Sequence, residues 1–349
     1  MTRIAIDAMG GDHAPHEIVA GAVWAAYDYN VPIELVGKQE DIERELEKIK
    51  REGFLSDCGL GGAKKRINVD ISKLDIKITH AEEVIEMGEH PGQAIRKKKK
   101  SSIVLGVKAV ADGSSNALVA AGSTGAAMAS SLFGLGRIAG ITRPAIAVTL
   151  PSLKKPVVVI DGGANSEATP EMLYQFAIMG SLFSKQILGI KNPRVGVLNI
   201  GEEETKGNTL AQETYKLLSE HTDKINFIGN IEGKELLLDS CDVVVCDGFV
   251  GNVTLKVTEG TATLLFKLIK EQFKSSLLGG VVGLMAKTFL KKIYPRINYE
   301  EYGGSLLLGV KGITVIAHGR SKAYAIKNAV RVAKEAVVTG LNKKISEII

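Results

Sequence analysis

Short apolar runs rich in Val, Ile and Ala alternate along the chain with longer segments in which apolar residues recur at helical spacing. Nine runs have the character of strands, in the order RIAIDAM, IELVG, DIKITHA, NALVAAG, AIAVTL, VVVIDGG, RVGVLNI, INFIGN and DVVVCDG. Segments such as DIERELEKIK, PEMLYQFAIMGSLFSKQIL and LAQETYKLLSEH predict helices between them. Near-continuous apolar strands separated by helices are typical of parallel strands covered on both faces. The pattern predicts an α/β fold with a largely parallel sheet and helices on both faces.

Length and composition narrow the class of protein. The chain has 349 residues, of which 45% are hydrophobic and 24% charged. It can therefore bury a sizeable core, as a single large α/β unit over 1–349 or as two lobes. The net charge of +5 fits an anionic substrate or an acidic partner, and the aromatic content of 5% argues against a nucleic-acid binder. Three cysteines, Cys58, Cys241 and Cys246, imply no disulfide framework, and with no secretory signal they predict a cytoplasmic protein.

Five predicted strands end in glycine together with small polar or charged residues. These ends read DAMGGDH, AGSTGAA, DGGANSEATPE, GEEETKGN and DGFVGNVTLK. Each one alone is explained equally well by a tight turn. Ligands of parallel sheets bind at the carboxyl ends of strands, where N–H groups and helix N-termini point at them. Five such ends together predict a shared anion-binding cleft.

Several other chemistries lack their motifs. The chain has no G-x-G-x-x-G or G-x-x-x-x-G-K-[ST] phosphate loop and no G-x-S-x-G nucleophile turn. His13 and His16 lie three residues apart, but no further His or Cys clusters near them, so we expect no metal site. We expect no cofactor either. Thr169-Pro170-Glu171 has the pattern of a helix start, which makes Thr169 structural.

The motifs DAMGGDHAP, AGSTGA, DGGAN, NIGEEETKGN, DGFVGNVTLK and YGGSLLLGVKG, in this order, resemble a bacterial family. It is the family of phosphate acyltransferases that use acyl-[acyl-carrier-protein] in phospholipid synthesis, and the resemblance covers essentially the whole chain. One segment, residues 51–75, is longer than the family pattern. The resemblance implies a fold like that of phosphotransacetylases and the isocitrate/isopropylmalate dehydrogenases. It also implies a homodimer and a downstream glycerol-phosphate acyltransferase as partner.

The implied reaction converts an acyl-carrier-protein thioester and inorganic phosphate into acyl phosphate and the free carrier thiol. Phosphate carries close to two charges near neutral pH and needs positioning more than a strong base. The reaction also requires stabilisation of the tetrahedral oxyanion. It does not require a cysteine nucleophile. Direct transfer is therefore the simpler scheme.

The candidate residues follow from the strand-end motifs. The expected catalytic residues are Lys206, His13 and Asn165. The expected substrate- and phosphate-binding residues are Asp7, Gly10, Gly11, Gly122, Ser123, Thr124, Asn208, Asp247, Gly248 and Asn252. The glycines let the backbone approach phosphate or the thioester carbonyl, and Asp7 and Asp12 orient neighbouring donors. His13 donates to phosphate or protonates the departing thiolate. Lys206 is otherwise a solvated surface charge, and His318 is a further candidate.

Two other enzyme classes remain open on the residues alone. A phosphotransacetylase using acyl-CoA would share the phosphopantetheine thiol of the carrier protein, so the cleft does not separate the two donors. A dehydrogenase of the isocitrate-like fold would need a nucleotide site, for which the sequence offers no clear fingerprint.

Two surface segments carry further hypotheses. RKKKK at 96–100 is either a solvated helix face or a docking patch for the acidic carrier protein. Residues 260–296 predict protruding helical arms, and 274–296 holds an apolar stretch flanked by lysines. That stretch is too short to span a bilayer, and it fits either shallow insertion at a membrane surface or a dimer interface. We therefore expect peripheral membrane association.

Overall fold

A computed structural model describes residues 2–56, 65–276 and 298–349, together with 279, 282, 283, 285, 286 and 289. The strands are β1 (Ile4–Asp7), β2 (Ile33–Gly37), β3 (Phe54–Ser56), β4 (Lys65–Ile67), β5 (Ile76–His80), β6 (Ala117–Ala120), β7 (Ala145–Leu150), β8 (Val157–Ile160), β9 (Arg194–Asn199), β10 (Asn226–Glu232), β11 (Val243–Val245), β12 (Ser305–Leu308) and β13 (Ile313–Ile316).

The described helices connect these strands. They are α1 (His16–Tyr29), α2 (Gln39–Glu52), α3 (Pro91–Lys97), α4 (Ser102–Ala111), α5 (Thr124–Leu135), α6 (Pro170–Ile187), α7 (Thr209–Ser219), α8 (Gly248–Lys274), α9 (Ala323–Val338) and α10 (Leu341–Ile348). Short 3₁₀ turns lie at Ile71–Lys73 and Tyr299–Tyr302. Within the described residues, no helix is both long and apolar enough to cross a bilayer.

Eleven strands form one sheet in the order β10-β9-β11-β8-β7-β12-β13-β6-β1-β2-β5, and β3 pairs with β4 separately. Within it, β13, β6, β1, β2 and β5 run parallel and are called the first block. β8, β11, β9 and β10 also run parallel and are called the second block. The sheet is largely parallel, as the sequence predicted.

The two blocks run in opposite directions. β12 is antiparallel to both β13 and β7, and β7 is antiparallel to β8. Three successive reversals leave the second block pointing opposite to the first, so the carboxyl ends of the two blocks lie at opposite edges of the sheet. The sequence predicted one shared cleft for all five strand ends, and for a single chain that expectation is wrong.

The core lies on both faces of the sheet, because strands of both blocks are buried along their length. β1, β2, β6 and β8 show no exposed residue. α6 buries Phe176 and Phe183 among the largest fully buried side chains. α1 packs closely on α9, where a Cβ added at Gly21 would lie 2.6 Å from the Cβ of Ile326. The predicted helix start at Thr169 is confirmed, since its side chain accepts the N–H of Met172.

Candidate active site

The candidate residues form two clusters, one at the carboxyl edge of each block. The first cluster follows β1, β6 and β13 and contains Asp7, Gly10, Gly11, His13, Gly122, Ser123, Thr124 and His318. The second cluster follows β8, β9 and β11 and contains Asn165, Lys206, Asn208, Asp247, Gly248 and Asn252. The structure therefore brings the residues of each cluster together, and separates His13 from Lys206 and Asn165.

Helix α8 links the two edges. It begins at Gly248 in the second cluster, and its Glu259 pairs with Arg320, two residues beyond His318, at 3.6 Å. Eleven helical residues span about 16 Å at 1.5 Å per residue. Helix α8 thus runs about 16 Å from the second cluster to the ion pair with Arg320.

Three loops meet in the first cluster at glycine positions. A Cβ on Gly10 would lie 2.8 Å from the backbone N of Gly122, and one on Gly11 would lie 2.9 Å from the carbonyl oxygen of Gly319. The φ of Gly11 is +107°, which side chains rarely adopt. The N–H of Asp12 donates to the same Gly319 carbonyl at 2.8 Å. Glycine is therefore required for the close approach of these loops, whatever the cluster binds.

Asp7 lies beneath these loops and is 3% exposed. Its Oδ1 accepts the N–H of Met9 at 3.2 Å. Burial raises the pKa of this carboxyl, while hydrogen bonds from Ser102, Met9 and Gly10 oppose the rise. Asp7 thus holds backbone donors of the DAMGG turn.

His13 is exposed in the turn that precedes α1. His16 binds Glu45 through Nδ1 at 2.7 Å.

The second cluster is organised around Asp161, a fully buried residue that the sequence analysis missed. Its Oδ1 accepts the N–H groups of Ile146, Gly163 and Ala164 at 3.0–3.1 Å. Its Oδ2 accepts the N–H of Asn165 at 2.7 Å and the Nδ2–H of Asn165 at 2.9 Å. An aspartate directly after a buried strand and before two glycines was the available signal, since such a loop exposes backbone N–H groups that need an acceptor.

Asn165 serves this loop rather than the open side of the site. Its Nδ2 donates to Pro144 O at 2.8 Å as well as to Asp161, so both amide hydrogens are engaged. Its carbonyl oxygen accepts the N–H of Gly248 at 2.6 Å. The expectation that the Asn165 side chain donates to phosphate or to an oxyanion conflicts with this arrangement. The bonds instead tie the β8 loop to the start of α8.

Three of the expected phosphate ligands are helix N-caps. Ser123 Oγ accepts from Ala126 N at the start of α5, Asn208 Oδ1 accepts from Ala211 N at the start of α7, and Asp247 Oδ1 accepts from Val250 N at the start of α8. The sequence carried this signal, because Ser, Asn and Asp directly before a helix are preferred caps. Two helix N-termini, those of α7 and α8, therefore open into the second cluster.

Lys206 stands on a loop whose backbone carbonyl groups accept hydrogen bonds from two side chains. Asn199 Nδ2 donates to the carbonyl of Lys206 at 3.1 Å, and Gln212 Nε2 donates to the carbonyls of Thr205 and Gly207. Gly207 has φ +86°, and a Cβ there would meet Asn199 Oδ1 at 2.3 Å. The side chain of Lys206 is exposed. The chain thus presents an ammonium group at the carboxyl end of β9, beside the N-terminus of α7.

The described residues offer little for a metal or a reactive thiol. Carboxylate oxygens of Glu202, Glu232 and Glu235 lie within 4.8 Å of one another in the described part, and Glu232 also pairs with Lys234. Exposed acidic groups of this kind are common without an ion. Cys241 and Cys246 are buried, and burial raises the pKa of Cys241 to about 12 and that of Cys246 further. Neither thiol is therefore disposed to act as a thiolate nucleophile at neutral pH. Cys58 lies outside the described residues.

The fold is that of phosphotransacetylases and related dehydrogenases. A phosphotransacetylase from Streptococcus pyogenes matches over 97% of this chain and 94% of that one, with a TM-score of 0.61 and 14% identity. EutD phosphotransacetylase from Staphylococcus aureus matches with a TM-score of 0.58 over 96% of this chain and 94% of that one, also at 14% identity. The predicted fold class is confirmed.

The sequence places the chain more narrowly. Residues 2–344 match the family described as "Fatty acid synthesis protein". A phosphate acyltransferase of Halothermothrix orenii is 49% identical over 98% of this chain and 98% of its own, and one of Pelotomaculum thermopropionicum is 51% identical over 96% and 91%. The chain belongs to this family and is an acyltransferase. The predicted family and enzyme class are confirmed.

Proposed function

We propose that the protein takes a fatty acyl group from the thioester of acyl-carrier protein and transfers it to inorganic phosphate. Acyl transfer to phosphate in fatty acid and phospholipid synthesis follows from the family, and the carrier protein as donor is the further step. The observation that supports the chemistry is the second cluster, where Lys206 and the N-termini of α7 and α8 meet at one edge of the sheet. Helix N-termini and an ammonium group attract an anion to the same place.

The reaction requires two negative charges to be stabilised, that of the phosphate nucleophile and that of the oxyanion that forms on the thioester carbonyl oxygen. A phosphate oxygen attacks the thioester carbonyl carbon, the carbonyl oxygen becomes an oxyanion, and the C–S bond then breaks to release the carrier thiolate. We assign Lys206 to phosphate or to the developing oxyanion, with Asn208, Asp247, Gly248 and Asn252 around it. Preorganised donors lower the barrier because they need no rearrangement as charge develops. The thiolate finally takes a proton.

We assign the proton donor for the departing thiolate to His13. His13 belongs to the first cluster, at the other edge of the sheet from Lys206. We therefore propose that His13 protonates the thiolate only in a site to which a second chain contributes its first cluster. Mixing the inactive variants His13→Gln and Lys206→Ala would then restore activity in mixed dimers, to about a quarter of the wild-type level by random pairing. No restoration on mixing contradicts this assignment.

A homodimer is supported by the surface of α8. Of its 27 residues only Gly248 and Gly251 are buried. Exposed apolar side chains recur along it at helical spacing, at Val250, Val253, Val257, Leu264 and Leu268. An apolar helix face of this length is typical of a surface that another helix covers.

The assay that tests the function supplies phosphate with either acyl-carrier protein or acyl-CoA and traps acyl phosphate with hydroxylamine. We expect product from the carrier thioester without nucleotide or added metal. Comparable product from acyl-CoA alone would support the alternative donor, and an absolute requirement for NAD(P) would refute acyl transfer as the activity. The relatives named above are acyltransferases, which gives the dehydrogenase alternative no support.

Membrane association remains part of the proposal. The arms at 260–296 begin on α8, but most of 274–296 lies outside the described residues. Val282, Met285 and Phe289, which are described, are all exposed large apolar residues. Exposed apolar residues flanked by lysines suit shallow insertion at an anionic surface, beside a glycerol-phosphate acyltransferase that would consume the labile acyl phosphate.

A further inference from the structure

A cavity of about 350 Å³ opens at the second cluster, between the ends of β9 and β11 and the first turns of α7 and α8. Its floor is apolar and buried, and is formed by Leu173, Val197, Ala211 and Cys246. Leu198 and Leu210 add further apolar wall. Ligand pockets of proteins have volumes from about 300 Å³ upward and are lined mostly by apolar groups with a few polar ones. The cavity has these properties.

The polar side chains that line the cavity belong to half-buried or exposed residues, which places them at its mouth. Asn199, Asn208 and Asp247 line it there, and each is fixed by a backbone hydrogen bond at 2.8–3.0 Å. Gly207 is also part of the lining, so the residue next to Lys206 borders the cavity. The rim carries Ile200, which is 79% exposed, and Val250. A ligand that fits must therefore be apolar at its inner end and polar at its outer end, and the exposed Lys206, next to Gly207, is the cation available to an anionic head.

We propose that this cavity receives the acyl chain of the donor and of the acyl phosphate product, with the reacting carbonyl at the Asn199–Asn208–Asp247 mouth. The inference rests on the proposed function, since it names where that substrate's chain lies. An acyl phosphate is an apolar chain with an anionic head, which is the polarity of the cavity read from floor to mouth. The phosphopantetheine arm is the poorer occupant, because its amides would meet an apolar floor and leave their polar groups unpaired.

The Cys246 thiol strengthens the assignment of the floor. Its burial raises the pKa of this group, so that it stays un-ionised and behaves as a small apolar surface. Leu173 on α6 and Val197 on β9 are 2% and 1% exposed, so the floor is held by the protein core and not by a mobile surface loop. A rigid floor sets a limit to the chain length that fits, which makes these residues determinants of acyl-chain specificity.

The test measures binding of butyl, octyl and dodecyl phosphate, below their critical micelle concentrations, by isothermal titration calorimetry. Each methylene that enters the cavity should tighten Kd about fourfold, until the cavity is full. Leu210→Trp fills the wall and should abolish this dependence on chain length. Leu217→Trp, two turns further along α7 and outside the cavity, should keep the wild-type series. If Leu210→Trp fails to fold, Leu210→Ala should extend the chain length at which binding stops improving.

The outcomes separate the cavity from the reaction. A wild-type Kd that does not depend on chain length, or equal series in wild type and the Leu210 variants, overturns the cavity assignment even if acyl phosphate is formed. A chain-length series that Leu210→Trp removes upholds it even if no acyl transfer is detected, in which case the proposed function fails alone. With active enzyme, kcat/KM of Leu210→Trp should fall tenfold or more for long-chain donors, and the loss should grow with chain length.

Discussion

The carboxylate of Asp161 accepts two hydrogen bonds from Asn165 through a single oxygen, at 2.7 Å from its backbone N and 2.9 Å from its Nδ2. The backbone carbonyl oxygen of Asn165 in turn accepts the N–H of Gly248. Asp161 therefore sets the position of the loop after β8 and, through Asn165, that of the first turn of α8. A buried acceptor with five donors is a residue on which the geometry of the second cluster depends.

Asp161→Asn should destabilise the protein strongly, because an amide hydrogen would face N–H groups that need an acceptor. Loss of charge-assisted bonds in a buried site costs about 3 kcal/mol or more. Urea unfolding followed by circular dichroism measures it. Asp75→Asn is the matched control, since Asp75 pairs with Arg3 at the surface and should cost far less. Equal losses in the two variants would show that Asp161 does not organise the loop.

Lys206→Ala should lower kcat by roughly 10²-fold or more while the fold is retained, which is the scale of losing one electrostatic catalytic donor. The comparison is Lys216→Ala, an exposed lysine on α7. Both are measured as acyl phosphate formed per unit time at saturating donor. A Lys206→Ala rate close to that of Lys216→Ala would make Lys206 a solvated surface charge.

Asp7 makes the stability depend on pH in a defined direction. Burial raises the pKa of this carboxyl in the folded state above its ordinary 3.8. As pH rises past 3.8, the unfolded chain ionises first, so the folded state loses stability until the folded pKa is passed. Asp7→Asn removes this titration, and its advantage over wild type in unfolding free energy should grow with pH over that window.

Asp112 provides the opposite case for the same measurement. A hydrogen bond from the backbone of Ser114 lowers the pKa of the Asp112 carboxyl. The stabilisation of the folded state by this carboxylate is present above the ordinary pKa and is lost as pH falls. The unfolding free energy of wild type should therefore rise relative to that of Asp112→Asn as pH rises. Urea unfolding at a series of pH values decides both signs. Parallel pH profiles of unfolding free energy for wild type and Asp7→Asn would contradict the prediction for Asp7.

Local signals predicted the elements well. Runs such as IELVG and AIAVTL coincide with β2 and β7, and the Thr169-Pro170 start places α6 correctly. These features depend on residues close in sequence, which is why they are readable. The N-caps Ser123, Asn208 and Asp247 were equally readable but were interpreted as ligands.

The relative directions of the strands in the sheet could not be predicted from the sequence. The antiparallel pairing of β7 with β8 joins neighbours in sequence, but β12 enters beside β7 from more than 150 residues away. No local pattern carries such a pairing, because apolar strands buried on both faces look alike in either direction. The division of the candidate site into two clusters follows from these reversals, and so it was missed together with them.

Removing the charges of Arg96 and Lys97 should raise KM for acyl-carrier protein at low salt and flatten its salt dependence, because rim charges mainly steer association. Both side chains are exposed on α3, whereas Lys98 is bound to Glu89 and Lys100 to Glu82. Lys100, part of the predicted patch, is thus already paired.

The matched control removes two exposed charges elsewhere, Lys48 on α2 and Lys185 on α6. Steady-state kinetics are compared at low and at moderate salt. An unchanged KM for the carrier in the Arg96/Lys97 variant at low salt would leave the patch as a solvated helix face.

The last prediction separates the dimer interface from the membrane tip. Leu264→Glu with Leu268→Glu places two carboxylates on the exposed apolar face of α8 and should dissociate the dimer, because burying unpaired charges against a second helix is costly. Val282→Glu with Met285→Glu should instead abolish flotation with anionic liposomes and leave the dimer mass intact, because charged residues do not insert among acyl chains. Mass photometry and liposome flotation are run on both pairs, alongside acyl transfer in solution. If the Val282/Met285 pair loses its dimer, the segment around 282–285 belongs to the interface. If its flotation is unchanged, that segment does not anchor the protein to a membrane.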